Sequence, residues 1–296
     1  MPISPSPGYN HPVTDLIRVR SSIRSYNGEP LPGGAREELE HCCRTLSEGP
    51  LGSRCRFRLI DRKAGREGGE RVGAYGTIRG APAYLAGAAR EGSHALEDYG
   101  YLFEQLVLKA TDLELGTCWL GGVFSRSAFA RAMDLRQEEI LPAVSPVGVP
   151  SGRRGLLDQI IRWGAGSKKR KPWSALFFEA ATARPLSTEQ AGRFASALEM
   201  VRLAPSASNR QPWRIWRQEG KDRPLFHFFL LRSPGYRSPT PLDLQRIDIG
   251  IAMAHFDLAL ENDGLHGSWI VAGHPPQPAA GAWQKCEYVI SWRADW

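Results

Sequence analysis

The sequence predicts an α+β fold built twice within one chain. Runs with apolar residues at helical spacing alternate with short runs that read as strands. Hydrophobic residues make up 42% and charged residues 23% of the 296, a globular balance with enough apolar material for a sizeable core. The second half also registers on the first at a constant offset: Asp98 falls on Asp248, Gly100 on Gly250, Leu108 on Leu258, Leu115 on Leu265 and Trp119 on Trp269. Helix, glycine-bearing turn and tryptophan-containing strand match without a gap. This points to a two-copy pseudo-dimer, with central antiparallel or mixed sheets flanked by helices, rather than a solenoid. The expected division is 1–183, a first half ending in a basic run, and 184–296, a second half packed with it as one unit.

Taken in order, the proline-bearing N-terminus reads as an extended arm, with no basic segment leading into an apolar one as a signal peptide requires. Asp15 to Arg20 is a short amphipathic helix. Ala35 to Glu48 places Leu39, Cys42, Cys43 and Leu46 at helical spacing and ends at Gly49-Pro50. Phe57 to Ile60 alternates as a half-exposed strand, and Ala81 to Gly87 is a second strand. Leu96 to Leu115 is a long apolar helix stopped by Gly116. Cys118-Trp119-Leu120 reads as a strand running into Gly121-Gly122, either a plain turn or a place where backbone approaches a ligand closely. Ser125 is the expected N-cap of a helix to Met133. Ala143 to Val149 carries Pro146 and Gly148 and is expected at an edge or end of its sheet. A basic excursion, Ser151 to Lys171, joins the halves. Ser187 caps a helix over Thr188 to Val201. Strands follow at Trp213 to Trp216 and Phe226 to Leu231, then a helix within Leu242 to Asp263, a strand at Trp269-Ile270-Val271, and a closing strand from Cys286 to Trp292.

Composition narrows the function classes. No apolar run approaches the ~18 residues that a membrane span needs. The five cysteines (Cys42, Cys43, Cys55, Cys118, Cys286) form no C-x-x-C pair, so neither a disulfide framework nor a zinc site is expected, and a reducing, cytoplasmic compartment is the default. His41, His94, His227, His255 and His266 show no ligand spacing and read as surface or core histidines. The net charge of +7 gathers in two clusters, Arg18, Arg20 and Arg24 near the start and Lys168 to Lys171 in the middle. A phosphate on a small ligand explains two such clusters as well as a nucleic-acid backbone does. The chain has no aromatic RNA-binding motif, no helix-turn-helix spacing and no basic stripe, which weighs against a nucleic-acid partner.

Three stretches carry the chemistry. Arg20-Ser21-Ser22-Ile23-Arg24 sets two arginines four apart, able to converge on one anion if the backbone is turn-like or helical. Leu203 to Arg214 follows a helix that Pro205 stops. Its Ser206, Ala207, Ser208 and Asn209 offer backbone N–H groups and short polar side chains to a flat polar ligand. The third is the basic Lys168 to Lys171 run, after the Gly-Gly turn.

Together, Arg-x-Ser-Ile-Arg-Ser-Tyr, Pro-Ser-x-x-Asn-x-Gln-Pro-Trp and Lys-x-Arg-Lys-Pro resemble the nitroreductase family of flavin-dependent oxidoreductases, over roughly Ile17 to Trp292. The duplicated layout resembles the branch in which two half-units are fused. The resemblance implies an FMN bound between the halves. Arg20, Ser22 and Arg24 would hold its phosphate and ribityl chain, and Lys168 and Arg170 would complete the phosphate site. Gly121 and Gly122 would pass close to the isoalloxazine. Pro205, Ser206, Ala207 and Asn209 would bind the ring and its pyrimidine edge. The family often has serine where Ala207 stands, so one hydroxyl contact is missing. Each half keeps one part of the site, because Ser47 to Arg54 replaces the Pro-Ser loop in the first half and Thr182 to Leu186 replaces the arginine run in the second. One complete FMN site per chain is therefore expected, with the second vestigial.

The implied activity is ping-pong hydride transfer from NAD(P)H through the flavin to an electron-poor small molecule, such as a nitroaromatic, a quinone or a dedicated metabolite. No protein acid, base or metal is needed. Asn209, and more weakly Arg210, would stabilise charge on the reduced ring. The alternative is a non-catalytic flavin or ligand carrier on a partly decayed fold. The sequence leaves NADH against NADPH open, since no G-x-G-x-x-G is present. A monomeric pseudo-dimer is the expected assembly.

Overall fold

The computed structural model describes residues 6–62, 73, 76, 78–152, 170–219, 223–236, 240–276 and 285–295. Helices α1 (Val13–Val19) and α2 (Gly33–Thr45) precede strands β1 (Cys55–Asp61) and β2 (Ala83–Arg90). Helix α3 (Ala95–Asp112), β3 (Gly116–Thr117), α4 (Arg126–Met133), β4 (Glu139–Ile140) and β5 (Val144–Gly148) complete the first part. Strand β6 (Phe177–Glu179) leads to the short helix α5 (Thr188–Ala191), α6 (Ala195–Leu203), β7 (Trp213–Gln218), β8 (Leu225–Leu231), α7 (Leu244–Asn262), β9 (Gly267–Ile270) and β10 (Cys286–Ala294).

The two halves are wired alike. The first sheet runs β1-β2-β5-β3, with β4 also paired to β2, and the second runs β6-β7-β8-β10-β9. From β7 onward the second order repeats the first strand for strand. All pairings are antiparallel except β6 with β7, which is parallel. Strand β6 lies before residue 183 in sequence, yet it forms the edge of the second sheet.

Helices α3 and α7 fill the space between the sheets. In α3 every residue from Ala95 to Asp112 except Leu96 is buried, so this helix has no solvent face to leave polar. The two helices cross at paired glycines. A methyl group on Gly100 would overlap the carbonyl of Ile247, and one on Gly250 would overlap the carbonyl of Glu97. Residues 97 and 100 thus meet 250 and 247 at the same offset that the sequence shows. This is the reciprocal contact of a two-fold axis and is consistent with the expected duplication. Around the crossing, Trp213, Phe226, Phe228, Phe256 and Trp292 are fully buried in one core continuous with Leu16, Leu39, Tyr99 and Phe103. Burying each such side chain contributes ~1.5–3 kcal/mol. Helix α4 covers the outer face of the first sheet, setting Phe129 and Met133 on Tyr84, Ala86 and Val144. Four cysteines are buried, Cys286 is half-buried, and all five are free thiols. Among the described residues no helix is long and apolar enough to cross a membrane.

Four local expectations need correction. The helix expected over Thr188 to Val201 is capped by Ser187 and Gln190 in a reciprocal box, but it breaks at Gly192, whose φ of +56° no continuous helix accommodates. Ser125 stands at the start of α4, yet its hydroxyl makes no cap bond and is buried without a partner among the described residues. Cys118-Trp119 is not a strand, since regular pairing ends at Thr117 and resumes only as a bridge from Leu120 to Val144. Strand β5 lies inside its sheet despite Pro146, because β3 pairs only with Val147 and Gly148. In the gap beside Pro146 the Ser145 hydroxyl accepts the Cys118 N–H at 3.0 Å.

Candidate functional site

The site grows from the loop that follows α6. Ala204 turns the chain out of the helix with φ −54° and ψ 143°, and Ser206 is extended. A 3-10 turn over Ala207–Asn209 then carries Ser208 at φ 50° and Asn209 at φ 54°, with Gln211 at φ 49° just beyond. Left-handed non-glycine residues cost ~1–2 kcal/mol each, Asn less than others, so this loop stores strain that its contacts must hold. Those contacts are dense. The Gln211 N–H donates to Ser206 Oγ at 2.9 Å, Gln211 Nε2 donates to the Asn209 carbonyl at 3.0 Å, and the Ala207 N–H donates to Asp248 Oδ1 at 2.9 Å.

Asp248 and Asp98, 150 residues apart, hold their loops differently. Asp98 braces the corresponding first-half loop with both oxygens, accepting the Leu51 N–H at 2.9 Å and the Ser53 N–H at 2.7 Å. That loop closes as a small hairpin through the Glu48–Arg54 bridge. Asp248 accepts only one N–H, and its Oδ2 is buried with no partner among the described residues. Burial, aided by Asp243, holds the Asp248 carboxyl well above the usual range, whereas the Ala207 N–H works the other way.

Arg170 reaches the exposed Asn209. Arg170 Nη1 donates to Asn209 Oδ1 at 2.6 Å and Nη2 to the Leu203 carbonyl at 2.7 Å. Burial pushes the Arg170 guanidinium down to about 10, and the nearby Arg20 and Arg202 push the same way. Arg202 is paired with Glu199 at 2.6 Å. Arg20 has a side chain only 6% exposed, 4.0 Å from Glu104, and its Nε has no hydrogen-bond partner among the described residues. Glu104 is already engaged, with Trp119 Nε1 donating at 2.7 Å and His255 Nε2 at 2.9 Å, while His255 Nδ1 faces the Met200 carbonyl at 2.9 Å.

Sequence-predicted residues fall into three groups. Arg20, Arg170, Pro205, Ser206, Ala207 and Asn209 are brought together. Gly121 reaches the same region by another route: it packs against Leu244 so closely that a methyl group there would strike the leucine δ carbons. Leu244 and Asp248 share one face of α7, so the Gly121-Gly122 turn and the Pro-Ser loop meet the same first turns of that helix. Ser22 and Arg24 are exposed and stand apart. Helix α1 ends at Val19, and Ser22 bridges Thr117, so the run is extended. Arg20 and Arg24 therefore lie about 13 Å apart along it instead of converging on a helical face. Lys168 lies outside the described residues.

A family model described as "Putative TM nitroreductase" matches residues 12–260. The chain belongs to this nitroreductase family. Among solved structures, a putative nitroreductase from Thermotoga maritima aligns at 18% identity and TM-score 0.56 over 97% of this chain and 94% of that one, a likeness of fold. An FMN-dependent nitroreductase from Clostridium difficile R20291 aligns at 16% identity and TM-score 0.39 over 47% of this chain and 88% of that one. A putative NADH dehydrogenase/NAD(P)H nitroreductase from Parabacteroides distasonis aligns at 18% and 0.39, over 49% and 90%. No curated protein matches.

Residue-by-residue reading of this nitroreductase-family sequence missed Gln211, Asp248, Glu104 and His255 as parts of the site. The register of Asp98 on Asp248 was the available signal for one of them. Gln211 stands in the Pro-Ser-x-x-Asn-x-Gln-Pro-Trp string, whereas nothing local marks Glu104 and His255, which meet across 151 residues.

Proposed function

We propose that the chain is an FMN-dependent oxidoreductase of nitroreductase type, moving electrons from NAD(P)H to an electron-poor small-molecule acceptor. The observation that carries this reading is Arg170, held on Asn209 Oδ1 at 2.6 Å and pushed down by burial and the charge of Arg20. Two guanidiniums close enough for one to depress the other, with no carboxylate paired to Arg170 among the described residues, suit a phosphate between them. Arg20 Nε lies 4.0 Å from Glu104, too far for a hydrogen bond, and has no hydrogen-bond partner among the described residues.

In this reading Arg20, Arg170 and Lys168 hold the FMN phosphate, with Ser22 and Arg24 at the outer end. Pro205, Ser206, Ala207 and Asn209 present the strained loop to the ring, and Gly121 and Gly122 form its opposite wall. When bound, the flavin supplies the two-electron chemistry. The chain's own part is to fix the ring: Asp248 anchors Ala207, and Arg170 orients the Asn209 amide through its Oδ1. No side chain is assigned as acid or base. The closed first-half loop over Asp98 supports one site per chain, with the division at 183/184 separating the two contributing halves.

Absorbance of purified protein titrated with FMN, then reduced anaerobically by NADH or NADPH, tests the proposal. One flavin per chain that bleaches with a nicotinamide is expected. Flavin that binds without being reduced would replace the enzyme by a carrier, and no binding with excess FMN would sink the reading.

A further inference from the structure

Gln211 links the Arg170 group to two more cations, Lys171 and Arg214, that the flavin reading leaves unused. The Lys171 backbone N–H donates to Gln211 Oε1 at 2.7 Å. Lys171 Nζ donates to the Gln211 carbonyl at 3.3 Å, and Arg214 Nη1 donates to that same oxygen at 3.1 Å. Arg214 is 6% exposed, and its Nε has no partner among the described residues. Arg210 stands exposed on the loop between Asn209 and Gln211.

None of the three forms an ion pair with a carboxylate among the described residues. Cys286, whose thiolate would favour the charge on Arg214, is a thiol that burial pushes up and so keeps neutral. Carbonyl oxygens satisfy donors without cancelling charge. Like charges this close repel, and half-buried cations without counter-ions are costly. Burial, with the charges of Arg214 and Arg210, pushes the Lys171 ammonium down to about 8. A dianion would relieve all three.

We propose that Lys171, Arg210 and Arg214 form an anion subsite for a phosphate monoester on the second substrate, met most simply by the 2′-phosphate that distinguishes NADPH from NADH. The choice of substrate rests on the flavin reading, whereas the subsite stands on its own geometry. A phosphorylated acceptor carries the same chemistry, and the test separates the two sources.

The experiment is calorimetric titration of the full chain with inorganic phosphate, NADPH and NADH, repeated on Lys171→Met and Arg210→Ala. Flavin content is read by absorbance on the same samples. Arg210 is exposed and Lys171 keeps its backbone bond, so both variants fold, which a melting curve verifies. We expect NADPH to bind at least ~10-fold tighter than NADH, the worth of one charge-assisted hydrogen bond. Lys171→Met should erase that margin and weaken phosphate, with NADH and FMN binding unchanged, and Arg210→Ala should lower NADPH and phosphate affinity in the same direction. Equal affinity for the two nucleotides, with phosphate still lost in Lys171→Met, would assign the subsite to a phosphorylated acceptor. Phosphate and NADPH affinities unchanged in both variants would overturn the subsite. Phosphate binding that depends on Lys171 in a protein that takes no FMN would keep the subsite and remove the flavin reading instead.

Discussion

Arg170 spends both terminal nitrogens on neutral oxygens, Asn209 Oδ1 and the Leu203 carbonyl, while a second arginine presses on its charge. Removing it should hardly disturb the fold but should weaken FMN binding ~10–100-fold, the loss of one or two charge-assisted bonds. Arg170→Lys should recover little, because an ammonium cannot make the forked contact. Equilibrium titration of both variants checks this. Another residue governs pH. His227 is buried between Ser291 Oγ at 2.7 Å and Gln218 Oε1 at 2.8 Å, and burial lowers it to about 4. The unfolded chain takes up that proton near 6.5, so stability is complete above 6.5 and drains away as pH falls toward 4. Between pH 7 and 5 the wild type should lose about 2 kcal/mol more than His227→Gln in urea unfolding. Buried Asp98 and Glu97 shift upward and pull the other way, so the difference between the two proteins is the readout. Arg170 and Asn209 stand in two separate motifs of the sequence, and only the fold shows that they touch. Lys171 stands in the Lys-x-Arg-Lys-Pro string, but the group it shares with Arg214 exists only once residues 171 and 211 meet.

At the scale of elements, the helix crossing gives the sharpest expectation. On an exposed helix a glycine-to-alanine change stabilises by ~1 kcal/mol. At Gly100 or Gly250 the added methyl meets facing backbone, and overpacking of ~1–3 kcal/mol or more should win. Both variants should therefore melt lower, and by similar amounts, as the reciprocal contact requires. In the binding loop the sign reverses. Ser208→Gly removes a left-handed penalty and should raise stability by up to ~1 kcal/mol in urea unfolding. Periodicity located the long helices to within a few residues and found the cap at Ser187. It passed over the break at Gly192, because a window averages across one residue whose backbone alone is unusual. It misplaced Pro146 because the compensating Ser145–Cys118 bond joins residues 27 apart.

For the whole molecule, the repeat at fixed offset made the architecture legible: the strand order β1-β2-β5-β3 returns as β7-β8-β10-β9. The sequence did not show that a strand from before residue 184 would join the second sheet. Strand β6 lies parallel to β7, with Phe177 opposite Ile215, Phe178 opposite Trp216 and Glu179 opposite Arg217. Arg170 and Lys171 sit on the lead into β6, and their targets Asn209 and Gln211 on the lead into β7. The strand therefore works as a measuring stick. A slip of one residue would turn Phe177 out of the core, and the next allowed setting, two residues along, would carry both cations ~6.6 Å past the loop. Three paired residues and two phenylalanines on opposite faces thus determine how far the basic run reaches. Lengthening or shortening the segment between Lys171 and Phe177 by a single residue should detach the cations from their loop while leaving both sheets folded.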